Sequence, residues 1–152
     1  MKKKLLLGIV AIITLFMVTG CKDSYDKNDT KLKNISFNAP TDFEEMKRDN
    51  GEVSITNKKK WASNRYTFKD YSIRVIWREG DNFKVFATGS KLKFSDKKVN
   101  GVDAHYSDND KNLVYTVIEY KDDLYIFEYY GDKSSNGVKV YNDIVNSVAY
   151  RK

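Results

Sequence analysis

Tyr71-Ser72-Ile73-Arg74-Val75-Ile76-Trp77-Arg78 decides the class of fold. Positions 71, 73, 75 and 77 are apolar, while 72, 74 and 78 are polar. Successive side chains of a strand point to opposite faces, so this spacing predicts a β-strand with one buried face. Further on, Leu113–Tyr120 and Leu124–Tyr130 are apolar at nearly every position and are joined at Lys121-Asp122-Asp123. Strands covered on both faces read this way, so these two are expected at the centre of a sheet.

Working outward from these strands, Lys98-Val99-Asn100-Gly101-Val102 is a hairpin signal, because Asn-Gly accepts the positive φ angles of a type I′ turn. After it, Val102, Ala104 and Tyr106 are expected to face inward, and Asp103, His105 and Ser107 outward. Glu79–Asn82 reads as a turn. Phe83–Thr88 either continues as a strand, with Phe83, Val85 and Ala87 on one face, or forms a short helix. Leu92 and Phe94 mark a brief extended piece, and Ser107–Asn112 and Gly131–Gly137 are polar loops. Val138, Tyr141, Ile144, Val145 and Val148 recur at helical spacing, so an amphipathic helix of about three turns is expected at the end of the chain.

Upstream, Ile35–Ala39 alternates as a first strand and Pro40 ends it. Thr41–Lys47 has the form of one or two helical turns, with Thr41 as cap and Glu44 in the capping-box position. Val53–Thr56 is a short second strand. Lys58-Lys59-Lys60 before Trp61 is a basic run, either a solvated turn or a contact for anionic lipid or cell-wall polymer. Tyr66–Phe68 leads through Lys69-Asp70 into the strand quoted first. No βαβ unit and no internal repeat occurs, so the domain is expected to be α+β, mainly antiparallel sheet, with the C-terminal helix packed on one face.

The amino-terminal segment has a different composition. Lys2, Lys3 and Lys4 precede Leu5–Val18, which is uncharged and almost wholly apolar. That run is shorter than the roughly 20 residues a membrane-spanning helix needs, and it has the form of a secretory signal peptide. Val18-Thr19-Gly20-Cys21 resembles the lipobox of bacterial lipoproteins. The resemblance implies that residues 1–20 are a signal peptide cleaved between Gly20 and Cys21. It also implies that Cys21 carries a diacylglyceryl thioether holding the protein on the extracytoplasmic face of the cell membrane. Lys22–Asn34 is polar and without apolar period, so residues 21–34 are expected to be a lipidated start and flexible tether. Residues 35–152 are expected to fold alone, and removing residues 1–34 should then leave the melting temperature unchanged.

Cys21 is the one cysteine, so no internal disulfide can form. Loss of Lys2–Lys4 would lower the formal charge from +6 to +3. From Ile35 onward 20 basic residues face 18 acidic ones, a mixed surface that argues against nucleic acid as a partner. Ile35–Ala39 with Pro40, Val99-Asn100-Gly101, the twin strands and Ile144-Val145-Asn146-Ser147-Val148 resemble small lipoproteins of Gram-positive bacteria with a Mog1/PsbP-like domain. That family pattern implies a longer helix between Trp77 and Val99, where Asp81–Ser95 is short and strand-like. The small GTPase and photosystem bound by Mog1-like and PsbP-like proteins are not implied, because the contact residues are not recognisable here.

Residues that could carry chemistry are few. His105 is the one histidine and stands on a strand, with no free thiol to serve, so neither a catalytic triad nor a zinc site is expected. Asp108, Asp110, Asn112 and Glu119 match spacings of a calcium loop, but Leu113 stands where the sharp turn needs glycine. No cofactor is expected. Tyr125, Phe127 and Tyr129 share one strand face, which either faces a ligand or is covered by the final helix. The main functional expectation is a non-catalytic binding module whose partner is an envelope protein, a peptide or a glycan. The alternative is a cell-wall hydrolase using paired carboxylates among Asp103, Asp108 and Asp110, which would have to stand about 5–10 Å apart.

Overall fold

Tyr71–Arg78 forms a strand, and the alternation read from it sorts its residues between two covered faces. The structure is a computed structural model and describes residues 30–52 and 58–152. The apolar run, Gly20 and Cys21, and the expected strand at Val53–Thr56, lie outside the described residues. In chain order the strands are β1 (Thr30–Leu32), β2 (Ile35–Phe37), β3 (Glu45–Glu52), β4 (Lys60–Thr67) and β5 (Tyr71–Arg78). Helix α1 (Phe83–Ser90) follows, then β6 (Ser95–Val99), β7 (Val102–Ser107), β8 (Leu113–Tyr120), β9 (Asp123–Gly131), helix α2 (Gly137–Asn146) and β10 (Ala149–Tyr150). Seven strands pair antiparallel in the order β3-β4-β5-β9-β8-β7-β6, and β1-β2-β10 make a small second sheet. The fold is α+β.

The centre of the large sheet is where the sequence placed it, with β9 in the middle and β8 beside it. One face carries Ile73, Val75, Ile118, Tyr125, Phe127 and Tyr129, all at 0% exposure. Tyr141, Ile144 and Val145 of α2 cover this face together with Leu32, Ile35 and Phe37 of the small sheet. Tyr141 is anchored under the helix, donating its hydroxyl to Thr116 Oγ1 at 2.8 Å and to the Phe127 carbonyl at 3.1 Å. The opposite face carries Ile76, Val117, Leu124 and Ile126 beneath Phe83 and Phe86 of α1.

Two turns set the registers. Asn100 (φ +49°) and Gly101 (φ +87°) close β6 onto β7 as the Asn-Gly pair predicts. Lys121 (φ +51°) and Asp122 (φ +62°) close β8 onto β9 in the same two-residue form without a glycine. The ambiguous Phe83–Thr88 is helical for local reasons. The Asn82 side chain accepts the Val85 N–H at 3.0 Å, and Phe83 and Phe86, three residues apart, both reach the sheet. It spans eight residues, against the longer helix implied by the family pattern.

Three expectations are corrected. Thr41–Lys47 is not helical: the Glu44 N–H bonds the Thr67 carbonyl at 2.8 Å, and Glu45 opens β3 against β4. β4 went unread because two of its buried positions are Ser63 and Asn64, at 2% and 5% exposure, so it lacks the apolar alternation of a strand. The outer face of β7 is covered at two of its three positions, since Phe83 stacks on His105 and Ser107 is 3% exposed, while Asp103 stays in solvent as expected. The last residues of the expected tether belong to the fold: Leu32 is 6% exposed, and Thr30–Leu32 pairs with Ile35–Phe37. The chain ends on β10 after α2, with Ala149 and Tyr150 paired to Ser36 and Ile35.

Candidate functional site

A cleft of about 550 Å³ opens at one end of the large sheet. Its position follows from three local features. The β4–β5 turn presents Phe68, Lys69, Asp70 and Tyr71, closed by the Phe68 N–H bonded to the Tyr71 carbonyl at 2.9 Å. The segment Asn38–Glu44 leaves the small sheet and crosses to β3, forming one wall. Ser147 Oγ accepts the Asn38 N–H at 2.9 Å and ties this wall to the end of α2. Helix α2 supplies the other wall with Asn136, Val140, Asp143 and Ile144.

The floor is aromatic. Phe68 and Tyr71 stack with centroids 4.3 Å apart, and Tyr71 stacks in turn on buried Tyr129 at 5.6 Å. Burial, and then the neighbouring Tyr129, pushes the Tyr71 hydroxyl above its ordinary pKa, so it remains a neutral hydrogen-bonding group. Gly137 permits this packing: a Cβ there would stand 2.7 Å from the Tyr129 hydroxyl and 2.8 Å from the Tyr71 ring. The rim is acidic, with Asp42, Glu44, Asp70 and Asp143 against Lys69. Lys139 pairs with Asp143 at 3.0 Å on the exposed side of α2. Asp42, Glu44 and Asp70 make no ion pair among the described residues. Asp42 holds a left-handed backbone, φ +61°, at the bend of its wall.

The residues singled out from the sequence lie elsewhere. Tyr125, Phe127 and Tyr129 are each 0% exposed beneath α2 and the small sheet, so they present no surface to a ligand. Asp103 faces solvent on the β6–β7 hairpin and bonds Lys98 Nζ at 2.6 Å, which holds its carboxyl below the usual range. Asp108 and Asp110 lie beyond the other end of β7, a strand of six residues that spans roughly 17 Å. Asp103 therefore cannot stand within pairing distance of either. Asp110 accepts the Asn112 N–H at 2.9 Å, while the Glu119 carboxylate is at the far end of β8 and accepts the Phe83 N–H. The calcium spacing therefore does not converge on one point, and no cluster of metal-ligating side chains occurs among the described residues.

His105 is less exposed than its strand position implied. Its ring stacks on Phe83 at 3.5 Å, and Nδ1 lies 3.1 Å from Asp96. Among the described residues its polar partner is this carboxylate, not a hydroxyl or thiol. In the basic run, Lys59 donates to the Gly80 carbonyl at 2.6 Å, and the Lys60 N–H donates to Glu79, so the run begins β4. A further polar patch joins Arg74 to Ser63 at 3.3 Å and Tyr115 to Glu128 at 2.9 Å, and it leaves Arg74 Nε buried without a partner among the described residues.

The cleft was missed in the sequence because its parts come from three separated segments. The one local signal is Phe68-Lys69-Asp70-Tyr71, two aromatics flanking a charged turn, which by itself reads as a connector between strands. No protein-family model, curated protein or solved structure matches this chain. Among the described residues no helix is long and apolar enough to cross a membrane.

Proposed function

We propose that this chain is a lipid-anchored lipoprotein of the extracytoplasmic membrane face, and that its domain is a non-catalytic binding module working through the cleft between Asn38–Glu44 and α2. The carrying observation is the concave site itself: an aromatic floor, polar walls and a volume of about 550 Å³. Ligand sites are commonly clefts of roughly 300–1,000 Å³ with apolar linings and a few polar groups that orient the ligand. The antiparallel sheet with a C-terminal helix on one face supports the Mog1/PsbP-like reading. The Val18-Thr19-Gly20-Cys21 sequence supports the anchor.

Two experiments test the proposal. A photo-crosslinking residue placed at Val140, in the cleft wall, should capture a discrete envelope component in intact cells, while the same residue at exposed Lys98 should not. Capture at Lys98 with none at Val140 would sink the cleft as the binding face. For the anchor, two acyl chains at roughly 0.8 kcal/mol per buried CH₂ hold a protein firmly on a bilayer. Cys21→Ala should therefore yield an uncleaved or released precursor. A variant that fractionates with membranes at the wild-type mature mass would remove the lipid anchor from the reading.

A further inference from the structure

The cleft combines two features that select the charge of its occupant. Its floor is the stacked pair Phe68 and Tyr71, whose rings are partly open to the site. Around that floor Asp42, Glu44 and Asp70 make no ion pair among the described residues, and Lys69 is the one cation in the lining. Carboxylates gathered beside aromatic faces attract a cation twice, through charge and through the negative faces of the rings. The same charges repel anionic lipid headgroups and anionic wall polymers, which removes them as occupants.

We infer that the cleft receives an arginine- or lysine-bearing segment of a partner protein, with the cationic side chain between the Glu44 and Asp70 carboxylates and its aliphatic stem on Phe68 and Tyr71. This rests on the binding-module reading and specifies its partner. A long basic side chain suits the site because its stem is apolar while its head is charged. The 550 Å³ volume also leaves room for adjoining residues of the segment along Val140 and Pro40. Arginine fits better than lysine, since a planar guanidinium stacks on rings and pairs with a carboxylate through two parallel hydrogen bonds.

The test measures anisotropy of a fluorescent Ala-Arg-Ala-Arg-Ala peptide against the full mature protein in detergent. Binding should saturate and weaken with added salt. The paired change Glu44→Gln with Asp70→Asn should weaken it by roughly tenfold at an unaltered melting temperature, because both side chains stand on the rim. Val140→Arg should abolish it by placing a cation in the cleft. An Ala-Gln-Ala-Gln-Ala peptide bound as tightly would overturn the inference, as would Arg-peptide affinity indifferent to the paired change, or no binding at all. If crosslinking at Val140 captures a partner while the arginine peptide does not bind, the cation is wrong and the binding module stands. If the peptide binds through these carboxylates while crosslinking captures nothing, the chemistry of the site stands and the envelope partner falls.

Discussion

Val145→Asp is expected to leave the protein unfolded at room temperature. Val145 is 1% exposed on α2, in the cluster that includes Phe37, Phe127 and Ile118. It packs there among buried apolar and aromatic side chains. An ionised carboxylate there loses its hydration without a partner, which costs several kcal/mol even when it escapes by protonation. A domain of this size has about 5–15 kcal/mol to lose. Circular dichroism should show loss of the cooperative transition, and Val145→Ala should lie between the two, because it leaves a cavity but buries no charge. Near-native stability of Val145→Asp would mean that α2 leaves the sheet readily. The Tyr125–Phe127–Tyr129 face, which the sequence left open as a ligand surface, would then be accessible in solution.

Legibility of the fold tracked how far each segment relied on apolar alternation. Tyr71–Arg78 and Leu113–Tyr130 were readable because the buried positions of their strands are filled by branched and aromatic side chains. The terminal helix was readable because Tyr141, Ile144 and Val145 reach the core, although it ends at Asn146, short of the expected Val148. β3 and β4 were not, for a shared reason. β3 is an edge strand made of Glu-Met-Lys-Arg-Asp-Asn-Gly-Glu, whose charges guard the edge against pairing with another chain and hide the strand from a hydropathy reading. β4 buries Ser63 and Asn64, which carry no apolar signal. The candidate site was less legible still. It is assembled from residues near 40, 70 and 140, and only the fold brings Glu44, Asp70 and Val140 around one opening. The aromatic residues conspicuous in sequence, Tyr125, Phe127 and Tyr129, serve the core. Those that line the cleft, Phe68 and Tyr71, flank a turn between two strands.

A chain that begins at Ile35 is expected to be markedly less stable than one that begins at Thr30, contrary to what the polar composition of Lys22–Asn34 implies. Four contacts make the difference. Leu32 is 6% exposed and belongs to the core cluster, and burial of such a side chain contributes about 1.5–3 kcal/mol. Asn34 donates its N–H to the Tyr125 hydroxyl at 3.2 Å and accepts the Arg151 N–H at 2.8 Å. Each such bond contributes about 1 kcal/mol, and removing Asn34 takes this partner from the hydroxyl of buried Tyr125. Lys33 stands 5.3 Å from the centre of the Trp77 ring, a contact worth about 0.5–1 kcal/mol. Without β1 the small sheet also keeps only β2 and the two residues of β10, so the cover over Phe127 loses its outer strand. Together these put the loss at about 3 kcal/mol or more, a fall of roughly 10 °C in Tm for a domain of this length. Leu32→Ala in the chain from Thr30 should account for the larger share, since Leu32 carries β1 into the core cluster. Equal melting temperatures for the two truncated chains would show that Thr30–Asn34 merely lies on the domain. The expected tether would then extend to Asn34, as its polar composition first suggests.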